Sequence, residues 1–135
     1  MTVVASPFVD TNALLYLLSS DETKADRAEA LLSGRIVISV QVLNEFLNVA
    51  RRKMGLPWPA VEQALIDVQR FADVRPLTLA THQQGLALAK RYQLNVYDAM
   101  IVAAALEAGC TTLASEDFSH GRRFDGRLTV RNPFA

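Results

Sequence analysis

Soft and imidazole ligands are almost missing from this chain: one cysteine, Cys110, and two histidines in 135 residues. That excludes a disulfide framework and a Cys/His zinc centre. Cys110 lies in an apolar stretch and reads as a small buried hydrophobe. No charge of one sign dominates, since 14 Lys and Arg balance 14 Asp and Glu. An overall basic field is therefore absent, although a local Arg patch suffices to position phosphates. No apolar run approaches the ~20 residues needed to cross a bilayer. The first residues also lack the basic start and long apolar core of a signal peptide, so a cytoplasmic location is expected. Neither a Gly-rich phosphate loop nor a nucleophile elbow is found.

What is present is a chain of ordinary globular composition, half of it hydrophobic, long enough for one core and one domain over residues 1–135. Short apolar runs alternate with amphipathic ones. Val3, Val4, Phe8 and Val9 form the first run. Strands are expected at Phe8–Asp10, Ile36–Ser39, Val74–Leu77, Thr111–Ala114 and Leu128–Val130. Helices are expected at Asn12–Leu18, at Glu22–Leu32 capped by Asp21 or Thr23, and at Val40–Met54 capped by Ser39. Further helices are expected at Ala60–Phe71 with Pro59 at its first position, from a Thr81/Gln84 capping box to Tyr92, and at Tyr97–Ala108. Strands separated by helices imply right-handed βαβ crossovers and a parallel sheet covered on both faces, an α/β fold.

Four acids stand out from this pattern. Asp10 and Asp117 follow strands, and the carboxyl ends of strands line the ligand crevice of an open α/β sheet. Glu45 is set among Leu43, Phe46 and Leu47 of a helix. Asp98 opens the wholly apolar run from Ala99 to Leu106, where the helix dipole is expected to lower its pKa. Each has a plainer reading: Asp10 as a helix cap, Glu45 as a solvated acid, Asp98 as dipole compensation, Asp117 as turn material. Gathered together, carboxylates repel one another and need a cation or raised pKa values to coexist. Oxygen ligands of this kind point to Mg²⁺, with Mn²⁺ as a substitute, rather than zinc. Thr11, Asn12 and Ser115 can hydrogen-bond a carboxylate or a ligand water. Asp117 is preferred to Glu116, because neighbouring side chains of an extended segment point opposite ways; Glu116 is left as a supporting acid.

The segments Phe8-Val9-Asp10-Thr11-Asn12, Ser39-Val40-Gln41-Val42-Leu43-Asn44-Glu45-Phe46, Tyr97-Asp98-Ala99 and Ser115-Glu116-Asp117-Phe118, with the closing Arg131-Asn132-Pro133-Phe134, resemble a PIN domain. More narrowly, they resemble the VapC-type toxins of prokaryotic toxin–antitoxin pairs. The similarity spans essentially the whole chain with its motifs in order. The resemblance implies a five-stranded parallel sheet flanked by helices and a Mg²⁺-dependent ribonuclease site, with the four family acids at Asp10, Glu45, Asp98 and Asp117. It also implies an RNA substrate, a cognate antitoxin, a homodimer, and cleavage leaving a 5′-phosphate and a 3′-hydroxyl. The supporting polar positions map to Thr11 or Asn12 and to Ser115. Arg122, Arg123 and Arg127, with His120 beside them, read either as a phosphate clamp or as a solvated loop, and Leu47, Met54, Leu56 and Trp58 either as an apolar antitoxin groove or with Trp58 packed on its own domain or across a homodimer interface. Two other functions compete with the toxin reading. One is a PIN nuclease of RNA processing without an antitoxin. The other is a phosphoacceptor signalling module, which would need a Lys at a strand end that none of these strands supplies. A structural adaptor would leave the four acids unexplained.

Overall fold

The computed structural model describes residues 6–18, 21–31 and 34–134; Val3, Val4 and Leu32 lie outside them. Six strands occur among these residues: β1 (Phe8–Val9), β2 (Ile36–Ser39), β3 (Ala72–Arg75), β4 (Thr112–Ala114), β5 (Arg123–Phe124) and β6 (Leu128–Arg131). The helices are α1 (Thr11–Leu15), followed by a 3-10 turn at Tyr16–Leu18, then α2 (Glu22–Leu31), α3 (Val40–Arg52), α4 (Trp58–Phe71), α5 (Leu79–Tyr92) and α6 (Val96–Glu107). No helix among the described residues is long and apolar enough to cross a membrane.

The strand order is β3-β2-β1-β4-β6-β5. β3, β2, β1, β4 and β6 are mutually parallel, and β5 pairs antiparallel with β6. The sheet thus has six strands where five were expected. The sixth is a two-residue strand, too short to carry an alternating pattern. Its signal was the Asp125-Gly126 dipeptide, a strong hairpin marker: both residues hold positive φ, 51° and 67°, and turn β5 back onto β6.

Successive strands β1, β2 and β3 step towards one edge, and β4 then returns to the far side of β1. Right-handed crossovers consequently put α1–α4 on one face and α5–α6 on the other. The reversal between β1 and β4 is the topological switch point where open α/β sheets bind ligands. Phe8, Val9, Ile36, Ile38, Leu113 and Val130 fill the strand core. α6 is apolar all round, and everything from Ala99 to Leu106 is buried, as a central helix requires.

Several boundaries differ from expectation. β3 ends at Arg75 rather than Leu77, since Pro76 has no N–H for the ladder. The capping box of α5 is Thr78 with Thr81, not Thr81 with Gln84: the Thr78 hydroxyl accepts the Thr81 N–H at 3.1 Å and the Thr81 hydroxyl accepts the Thr78 N–H at 3.2 Å. α4 starts at Trp58 with Pro57 as its cap residue, so Pro59 sits at the second helical position. Ser39 caps α3 as its position implies, accepting from the Val42 N–H.

Candidate functional site

β1 stops at Val9, and Asp10 takes extended geometry (φ −75°, ψ 160°) while capping α1. Its Oδ1 accepts the Thr11 N–H at 2.7 Å and its Oδ2 accepts the Ser115 hydroxyl at 2.8 Å. Burial pushes its pKa up to about 7; Ser115 opposes the rise and the nearby charge of Asp117 adds to it. Asp10 thus caps α1 and also lines the acidic cavity described below.

Glu45 projects from α3 and is half-buried. Its Oε2 accepts the Thr11 hydroxyl at 2.6 Å, and its Oε1 accepts an N–H of Gln41 at 3.0 Å. Gln41 is buried, and its amide also donates to the Tyr97 carbonyl at 3.0 Å, which ties α3 to the first turn of α6. Sequence reading passed over Gln41, although a residue four before Glu45 shares its helix face.

Asp98 is the third residue of α6. The cap of that helix is Asn95, whose Oδ1 accepts the Asp98 N–H and whose Nδ2 donates to Asp98 Oδ2, both at 2.9 Å. Its pKa moves up rather than down: burial raises it first, Asn95 partly offsets this, and Asp117 and Glu45 raise it further. The helix dipole is outweighed because half-burial beside two other acids costs the charged form more than one helix end returns.

Asp117 is exposed, and Asn12 Nδ2 donates to both of its carboxylate oxygens at 3.1 Å. The Asp117 N–H is fixed by Ser115 Oγ at 3.0 Å. Glu116 turns the other way, accepting the Tyr16 hydroxyl, with Lys24 over the Tyr16 ring. Glu116 is thus separated from the other acids and braces the outer side of the 115–117 turn.

Asp10, Glu45, Asp98 and Asp117 line one cavity of about 230 Å³ with Thr11, Asn12, Asn48 and Tyr97. Among the described residues no three or more His, Cys, Asp or Glu side chains close into a ready-made metal cage. The donor set nevertheless fits a hard divalent cation: it is all oxygen, no Lys, Arg or His lines the cavity, and burial with neighbouring carboxylates raises the pKa of Asp10 and Asp98. Mg²⁺ keeps several waters and needs only one or two carboxylates directly.

The expected phosphate clamp is not at this cavity. Arg122 donates to the Tyr92 carbonyl and stacks on Phe124, and Arg123 donates to the Gly126 carbonyl. Arg127 lines a cavity with Gly109, Cys110 and Thr111, at the opposite end of β4 from Ser115. His120 accepts the Asn132 N–H on its Nδ1. None of these residues lines the acidic cavity, which proximity in sequence did not reveal. The cavity at Leu47 and Trp58 lacks Met54 and Leu56 of the groove expected, and Asn44, Asn48, Arg51 and Arg52 share its lining. An apolar groove of about 410 Å³ lies instead between the 3-10 turn, α3 and α4, at Leu17, Leu18, Phe46, Ala64, Val68 and Phe71.

Fold and pocket together define an open α/β sheet with an acidic cleft at its switch point. The PIN domain family matches residues 8–123, and the chain belongs to that family. No curated protein matches the sequence at a significant level. Among solved structures, the fold is similar to a toxin–antitoxin complex from Klebsiella pneumoniae (TM-score 0.70, 22% identity, 95% of this chain and 98% of that one). VapBC2 of Rickettsia felis, bound to a DNA fragment from its promoter, gives TM-score 0.70 at 17% identity over 95% and 98% of the two chains. The sarcin–ricin-loop-cleaving toxin VapC20 of Mycobacterium tuberculosis gives 0.63 at 19% identity over 80% and 87%.

Proposed function

We propose that this protein is a Mg²⁺-dependent endoribonuclease that acts in the cytoplasm as the toxin of a toxin–antitoxin pair, with Mn²⁺ as a working substitute. The observation that carries the reading is the meeting of Asp10, Glu45, Asp98 and Asp117 in one cavity from four separate stretches of a PIN-family chain. Asp10, Asp98, Asp117 and Glu45 are the metal-binding acids, with Thr11, Asn12 and Ser115 in support. A divalent cation held there would polarise the scissile phosphate and lower the pKa of the attacking water. Positive charge there would oppose the burial and the neighbouring carboxylates that raise the pKa of Asp10 and Asp98. Thr11 and Gln41 hold the Glu45 carboxylate, and Asn12 holds that of Asp117. Water adds to phosphorus as the bond to the 3′-oxygen breaks, leaving a 5′-phosphate and a 3′-hydroxyl.

Two of the similar structures described above are toxin–antitoxin assemblies, which supports an antitoxin as partner. The groove at Leu17, Phe46, Val68 and Phe71 suits an apolar segment of that partner. A homodimer is the proposed assembly: α5 presents Leu79 and Leu86, two turns apart and 71% and 56% exposed, on one face. The deciding experiment is incubation of the purified protein with total RNA, with Mg²⁺ and with EDTA, beside an Asp98→Asn variant. Cleavage confined to the wild type with Mg²⁺ is expected. RNA left intact under all conditions, or cleaved equally by the variant, would overturn the reading.

A further inference from the structure

Beside the acidic cavity lies a second one of about 420 Å³, lined by Asn44, Leu47, Asn48, Arg51, Arg52 and Trp58. Asn48 belongs to both. Glu45, Asn48 and Arg52 follow one another at i, i+3 and i+7 along a single face of α3. At 1.5 Å rise per residue, the helix passes from carboxylate to guanidinium within roughly 10 Å.

The basic end is rigidly built. Arg51 stacks on the Trp58 indole, 4.3 Å from its centroid, and donates to the Leu56 carbonyl at 2.8 Å. Pro57 precedes Trp58 at the mouth of α4 and Pro59 follows it, which restricts the backbone on both sides. Trp58 is nevertheless 52% exposed. Arg52 and Lys53 are exposed too, and among the described residues Arg52 makes no salt bridge or side-chain hydrogen bond. A pre-set aromatic face next to unpaired guanidinium charge is what single-stranded nucleic acid needs: stacking for the base, cations for the backbone.

We propose that this groove is a subsite for an unpaired nucleotide flanking the scissile phosphate, with its base stacked on Trp58 and its phosphate against Arg52. The inference rests on the ribonuclease reading and supplies what that reading lacks. Four acids repel a polyanion, and Arg122, Arg123 and Arg127 do not line their cavity. The groove on α3 restores a cationic surface in direct continuity with them. Its charge and its asparagines favour RNA over an apolar protein segment, for which the groove at Phe46 and Phe71 is better lined.

Trp58 is the sole tryptophan, so its emission reports on this groove alone. An Asp98→Asn background, used to prevent turnover, is titrated with a short single-stranded RNA of randomised sequence in Mg²⁺. Quenching of Trp58 at saturation is expected. By fluorescence anisotropy of the labelled RNA, Trp58→Ala should weaken binding about 5- to 150-fold, the equivalent of one lost stacking contact, and Trp58→Phe should retain most of it. Arg52→Gln should reduce the slope of log affinity against log salt by about 0.7, one phosphate contact on a single strand. If the wild type cleaves RNA and the Asp98→Asn protein binds it, yet Trp58 emission and all three affinities are unchanged, the subsite is overturned and the nuclease reading stands. If RNA is neither cleaved nor bound, both fall. Trp58 emission that responds to the cognate antitoxin and not to RNA would also overturn the subsite, assigning the groove to a protein contact.

Discussion

The Ser115 hydroxyl donates to Asp10 across 105 positions of sequence, at 2.8 Å, while Ser115 Oγ accepts the N–H of Asp117. One buried hydroxyl thus joins the ends of β1 and β4 at the point where the strand order reverses. Ser115→Ala should lower stability by about 1–3 kcal/mol, the usual cost of leaving buried polar groups without their partner. It should also raise the Asp10 pKa further, because Ser115 is the contact that lowers it. Urea unfolding and a carboxyl-resolved NMR titration would check the two effects. An unchanged Asp10 titration would show that Ser115 does not tune this acid.

In the metal-free protein, stability should fall as pH rises from about 4 to about 7. Asp10 titrates near 3.8 when unfolded and near 7 when folded. Between those values the folded state holds the extra proton, so each step up in pH favours the unfolded chain. Asp98 is raised as well and acts in the same direction. Unfolding in EDTA across this range should show the decline, and Asp10→Asn should flatten it. Stability that rose with pH would contradict the burial of Asp10.

Asp98→Asn should abolish RNA cleavage and leave the metal-free fold as stable as the wild type or more so. The substitution removes one charge from a group of acids whose mutual repulsion already raises its pKa. The cap of α6 survives, because it is the Asn95 side chain that accepts the Asp98 backbone N–H. Thermal unfolding in EDTA tests this, and a clear drop in midpoint would show that the Asp98 side chain mainly holds the helix.

Gln41→Leu should destabilise the fold by about 1–3 kcal/mol, since it strips the Glu45 carboxylate and the Tyr97 carbonyl of a shared donor. Mn²⁺ affinity, read by calorimetry, should fall with it, because Glu45 loses one of its two anchors. Affinity unchanged in a destabilised variant would confine Gln41 to a packing role.

Much of this architecture was set by short-range rules that a sequence exposes. Ser39 before an apolar-periodic run caps α3, the alanine-rich stretch after Asp98 has to be buried, and acids after apolar runs sit at strand ends. Those outcomes depend on residues within a turn or two of each other. The local dihedral preferences were equally readable at Asp125-Gly126, where the hairpin was overlooked because its strand has only two residues. The sign of the Asp98 pKa shift, the engagement of Arg122 and Arg123 with the Tyr92 and Gly126 carbonyls, and the bridging amide of Gln41 were decided only by tertiary structure. Each depends on which distant groups share a low-dielectric space, and desolvation and direct contact act over a few ångströms of space, not along the chain. The sequence determined that four acids end or line elements of an α/β sheet; the crossovers decided that they face one another.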